Sequence, residues 1–140
     1  MVGFLLDTCV VVELQRPHGN ADVRARVEEI ERDQVLLSVI TIGELAKGLA
    51  KLAAGRHQRE VAEWLLGFEQ RFATRVLPVD IDVARRWGEL TARAQASGIQ
   101  VPVTDGFIAA TALQHGLHVM TRNSRHFTFS GVTVIDPWEG

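Results

Sequence analysis

A single cysteine, Cys9, stands in 140 residues, so no disulfide can form within the chain, and a reducing compartment suits it. No apolar run approaches the roughly 20 residues that a membrane helix needs. The opening Met1-Val-Gly-Phe-Leu-Leu reaches Asp7 at once and lacks both the basic start and the long apolar stretch of a signal peptide. A cytoplasmic protein without membrane attachment is therefore expected. No glycine-rich phosphate loop is present, which argues against a nucleotide cofactor. His115 and His118 straddle Gly116 and lack the one-face helical spacing of a zinc pair, and no Cys/His cluster joins them. Repeats, linkers and low-complexity stretches are missing too. Excess charge of one sign is also lacking: the formal net charge is −2, which excludes a globally basic nucleic-acid binder but leaves room for a local basic patch.

What remains is 46% hydrophobic and patterned as strands alternating with helices. Residues 2–6 form a short apolar run ending on Asp7, after which Thr8 to Leu14 reads as a helix. A loop at residues 17–20 leads to a charged amphipathic helix over 21–32, whose run Glu28-Glu29-Ile30-Glu31-Arg32-Asp33 reads as a solvated face. Further strands are expected at 35–38, 76–79, 117–120 and 132–135, and helices from Thr41, over 57–73, from Asp80-Ile81-Asp82 to Ser97-Gly98, and from an N-cap at Thr104 to a C′ glycine at Gly116. The pattern predicts one domain, residues 1–140, built as a three-layer α/β/α fold around a mainly parallel sheet.

Three acids fall at strand ends or helix starts, where the carboxyl edge of a parallel sheet binds ligands. Asp7 follows the first strand, Glu44 lies at the start of the helix after the second, and Asp105 opens the helix before the fourth. Each has a plainer explanation. Asp7 and Asp105 suit helix N-termini, and Thr41 with Glu44 three residues on has the form of a capping box. Taken together, three ionised carboxylates on one edge repel, and a hard divalent cation such as Mg²⁺ or Mn²⁺ resolves the repulsion while keeping positions for water and phosphate oxygens. The chemistry implied is hydrolysis of a phosphodiester. Lys47 and Lys51 lie within about 60° of Glu44 on a helical wheel of ~3.6 residues per turn, a stripe suited to a phosphate backbone or to i,i+3 ion pairing. Cys9, beside a carboxylate, is expected to keep its proton and serve as a small packing residue. Asp80 and Asp82 read as helix-start acids.

The segments Leu5-Leu6-Asp7-Thr8, Ser38 through Thr41 to Glu44-Leu45, Asp105-Gly-Phe-Ile-Ala-Ala-Thr-Ala and Thr121-Arg122-Asn123, in that order, resemble the motifs of PIN-domain proteins. More closely, they resemble the VapC/FitB-type toxins of bacterial toxin–antitoxin pairs, along essentially the whole chain. The resemblance implies a Mg²⁺- or Mn²⁺-dependent endoribonuclease. Asp7, Glu44 and Asp105 would form its metal-holding acidic core, with Asn123 at the position of a fourth acid and Thr8 and Thr121 as supporting hydroxyls. It also implies a cognate antitoxin that occludes the site, a homodimer, and transfer or ribosomal RNA as substrate. Three positions depart from the motif: Cys9 replaces an asparagine, Asn123 replaces an acid, and His126 stands where an aspartate often follows. Those departures leave a second expectation open, an RNA- or antitoxin-binding module with an incomplete metal site. Arg16, Lys47, Lys51, Arg122 and Arg125 are the candidates for RNA backbone contact.

Overall fold

The structure is a computed structural model and describes residues 2–139. Five strands, β1 (Phe4–Leu6), β2 (Val35–Ser38), β3 (Val76–Leu77), β4 (His118–Met120) and β5 (Val134–Ile135), form one parallel sheet in the order β3-β2-β1-β4-β5. Every pairing is parallel, with Phe4 opposite Val35 on one side and Leu6 opposite Met120 on the other. Among the described residues six α-helices accompany them: α1 (Thr8–Gln15), α2 (Ala21–Glu28), α3 (Val39–Ala50), α4 (Arg56–Arg71), α5 (Ile81–Ala96) and α6 (Val103–His115). The expected strands are all present; β2 has the expected bounds and the other four are shorter than expected.

Successive residues of a strand point to opposite faces, so β1 seeds a core on each side of the sheet. Leu6 packs with Val10, Val11, Val23, Leu37 and Phe68, under α1, α2 and α4. Leu5 packs with Ile108, Ala109, Ala112, Val119 and Phe127, under α6. A third cluster, Val83, Leu90 and Ala110, joins α5 to α6. Those two helices lie close because Gly106 has no side chain: a Cβ there would sit 2.9 Å from Trp87 Nε1. The result is the three-layer α/β/α architecture expected from the alternation.

Several caps follow the sequence. Asp7 caps α1, Asp80 caps α5 through the Val83 N–H, and Gly116 ends α6 at φ 66°, with Leu117 N–H returning to the Ala112 carbonyl. Three expectations require correction. Helix α2 stops at Glu28, short of Arg32, and a 3₁₀ turn over Arg32–Gln34 takes its place. Acids crowding a helix C-terminus oppose the dipole and repel one another at i,i+3 spacing. Helix α6 begins at Val103, so Thr104 is not its cap. Pro102 is the last non-helical residue, and its carbonyl already accepts the Gly106 N–H. Helix α3 begins directly from β2, with Ser38 as cap accepting the Ile40 N–H at 3.0 Å. Thr41 therefore lies inside the helix, fully buried, with its hydroxyl unpartnered among the described residues, and the capping box with Glu44 does not form.

Candidate active site

Because β1 and β4 pair in parallel, their ends bring Asp7 and Thr121 side by side, with the Asp7 N–H on the Met120 carbonyl at 2.9 Å. Asp7 is 5% exposed, and a buried carboxylate needs partners for both oxygens. Its Oδ1 accepts the Thr8 N–H at 2.9 Å and its Oδ2 accepts the Thr121 hydroxyl at 2.8 Å. Thr121 in turn accepts the Asn123 N–H at 3.0 Å, so Asn123 enters this network through its backbone while its side chain is exposed. On the other side of Asp7, the Thr8 hydroxyl donates to Glu44 Oε1 at 2.6 Å. The early start of α3 allows this contact, since it leaves the Glu44 carboxylate free of the helix terminus. Both threonines thus tie an acid of one segment to another segment.

Asp105, in the first turn of α6, is half-buried and has its Oδ2 3.0 Å from His126 Nδ1. Its carboxyl is raised above the ordinary value, first by burial, then by the negative charge of Asp7 and, more weakly, of Glu44; His126 opposes the shift. The three acids therefore share one electrostatic neighbourhood. The Cys9 thiol lies 3.5 Å from Thr121 Oγ1 and 3.9 Å from Asp7 Oδ2. Its pKa is raised as expected, although burial is the larger cause and Asp7 a lesser one, which disfavours a thiolate.

In the sequence His126 reads only as a missing acid; its pairing with Asp105 joins two separate elements and has no local pattern to announce it. Among the described residues, no three His, Cys, Asp or Glu groups stand close enough to hold an ion as they are placed. Each acid is turned to a protein partner, and among the described residues Glu44 Oε2 and Asp105 Oδ1 receive no hydrogen bond. The chemistry of the donor set nonetheless fits a hard divalent cation. All the donors are carboxylate oxygens, and Asp105 carries an electrostatic burden that a cation would relieve.

The basic candidates differ in placement and in partners. Lys47 on α3 and Lys51 just past its end are exposed and line a hollow with Glu44 and Thr104. Among the described residues neither lysine forms an ion pair, so the pairing explanation for their spacing does not hold. Arg16 sits 3.4 Å from Glu13, Arg122 lies over the Trp138 ring at 4.7 Å, and Arg125 is exposed beside His126.

Residues 4–131 match the family model described as PIN domain. The chain is 38% identical over 136 residues to the VapC ribonuclease Y4jK of Sinorhizobium fredii, covering 96% of this chain and 97% of that one. It is 39% identical over 138 residues to the toxin FitB of Neisseria gonorrhoeae, covering 96% and 97%. The crystal structure of FitAcB from Neisseria gonorrhoeae superposes with a TM-score of 0.92 at 38% identity, over 98% of this chain and 99% of that one. The chain, with Asp7 just after β1, Glu44 on α3 and Asp105 on α6, thus belongs to the PIN-domain family. Within that family the chain is of the VapC and FitB toxin type, and enzyme prevails over the expectation of a catalytically silent binding module.

Proposed function

We propose that the chain is the endoribonuclease toxin of a type II toxin–antitoxin pair, one PIN domain over residues 1–140 in which Asp7, Glu44 and Asp105 hold Mg²⁺ or Mn²⁺ for hydrolysis of RNA phosphodiester bonds. One observation carries the assignment of residues: Thr121 ties Asp7 to the end of β4 and Thr8 ties Glu44 to the start of α1, so acids far apart in the chain meet at one edge, where burial first, then the charge of Asp7 and more weakly that of Glu44 raise the Asp105 carboxyl. When bound, such an ion activates water and stabilises charge on the leaving oxygen.

The chain's own groups prepare that chemistry. Thr121, itself held by the Asn123 N–H, fixes Asp7 Oδ2, and Thr8 fixes Glu44 Oε1. The Asn123 side chain, exposed beside this network, can orient a water through its carbonyl. Lys47 and Lys51, with Arg16, Arg122 and Arg125, would receive the RNA backbone. The substrate would be a transfer or ribosomal RNA presenting a splayed single-stranded loop, the usual form in which proteins reach RNA bases. A cognate antitoxin is the partner that membership among these toxins implies; a homodimer acting in the cytoplasm completes the reading. No helix among the described residues is long and apolar enough to cross a membrane.

The test is to map cleavage ends in total RNA with and without Mg²⁺, using antitoxin-free protein. Asp7→Asn and Asp105→Asn keep side-chain size and remove charge. Each should reduce cleavage by more than about 100-fold, because even the outer-shell partners of a bound metal are worth 10–100-fold. Undiminished cleavage by either variant, in a folded protein, would remove that residue from the active site.

A further inference from the structure

The turn after β4 has a feature that the acidic core alone does not explain. His126 closes a 3₁₀ turn over Ser124–His126, its N–H bonded to the Asn123 carbonyl at 2.9 Å, and the next residue, Phe127, is fully buried in the core under α6. The imidazole is consequently not a loose surface group. Its anchor and the helix carrying Asp105 share one hydrophobic cluster, since Phe127 packs with Ile108 and Ala109. From there Nδ1 reaches Asp105 Oδ2 at 3.0 Å. An ionised carboxylate only accepts hydrogen bonds, so in this contact Nδ1 carries the proton and donates it. The same short turn carries the Asn123 N–H that holds Thr121 on Asp7. Residues 123–126 therefore reach two acids, Asp105 through the His126 side chain and Asp7 through the Asn123 N–H on Thr121.

We propose that His126 is the positioning residue for Asp105: its Nδ1–H fixes Oδ2 and leaves Oδ1 as the oxygen free to bind the divalent cation. The inference rests on the reading of Asp7, Glu44 and Asp105 as a metal-holding core. Carboxylate ligands are commonly held by such outer partners, and removing one weakens metal binding by about 10–100-fold. His126 thus supports the site in a way that the aspartate it replaces in the motif would not, because a carboxylate has no proton to donate to Asp105.

The experiment is Mn²⁺ binding to the full chain, followed by isothermal titration and by the electron paramagnetic resonance spectrum of the bound ion, with thermal unfolding recorded for every variant. His126→Asn places an amide N–H near the position of Nδ1 and should retain most of the affinity. His126→Gln keeps size and polarity but moves its amide away, and should bind about 10–100-fold more weakly with an altered spectrum at an unchanged metal-free unfolding midpoint. His126→Ala should resemble the Gln variant. Binding by the Gln and Ala variants as tight as the parent's, or tighter, would overturn the proposal, tighter binding marking His126 as a competitor of the ion. An Asn variant as weak as the Gln variant would overturn the Nδ1 assignment as well. If the parent binds no Mn²⁺, or Asp105→Asn binds it as the parent does, the metal-site reading itself fails. That outcome is distinct from failure at His126 alone.

Discussion

At Asp105, burial and two neighbouring carboxylates oppose ionisation while His126 favours it, and the balance is a carboxyl that titrates above its ordinary value. A folded-state pKa above the unfolded-state one means that folding favours the protonated form. The contribution of this group to stability is therefore complete below the unfolded-state pKa, about 3.9 for Asp, and is lost as pH rises through the higher folded-state value. Asp105→Asn, of equal size and uncharged, should accordingly melt higher than the parent at neutral pH in EDTA. The difference should shrink as pH falls towards 4. Saturating Mn²⁺ should reverse the order, because an ion that binds only the folded parent stabilises it by mass action. Melting curves in the two buffers check both signs. A lower midpoint for the variant in EDTA would mean that the ionised carboxylate is already well compensated without metal.

At the scale of elements, the junction between β2 and α3 decides what Glu44 can do. Thr41 followed by Glu44 has the form of a capping box, yet Ser38 takes the cap and Thr41 is carried into the helix with an unpartnered, buried hydroxyl. Sequence does not locate this start, because Val39 and Ile40 are β-branched and disfavour a helix start, and because the strand enters the helix without an intervening loop. Stability measurements separate the two arrangements. Ser38→Ala should lose about 0.5–2 kcal/mol in urea denaturation, the usual worth of an N-cap. Thr41→Val, which replaces an orphaned hydroxyl by a methyl of the same shape, should be neutral or stabilising. A capping role for Thr41 would produce the opposite pattern. The same junction frees Glu44 to accept the Thr8 hydroxyl, so the apparent local cap conceals a bond between distant elements.

Across the whole molecule, the layers are legible in the sequence because hydrophobic runs alternate with amphipathic helices, and the acids are legible because parallel strand ends and helix starts share an edge. The His126–Asp105 pairing is not, since it depends on where burial of Phe127 places a turn. Charge shows a similar division between total and placement. A net charge of −2 gives RNA no general attraction, so association must depend on where the few free cations stand. Arg16 is engaged with Glu13 and Arg122 with Trp138, whereas Lys47 and Lys51 stand exposed along a hollow that reaches Glu44. Those two lysines should carry most of the salt-sensitive attraction for the RNA backbone. Replacing both by glutamine should weaken binding of a single-stranded RNA in EDTA, where no cleavage intervenes. It should also flatten the dependence of log K on log salt by ~0.7 for each phosphate no longer neutralised, about 1.4 for the pair. Binding titrations over a range of salt read that slope directly. A double variant that binds weakly with the parent's slope would show that the lysines shape the surface without releasing counterions, and the backbone path would then have to run past Arg125 instead.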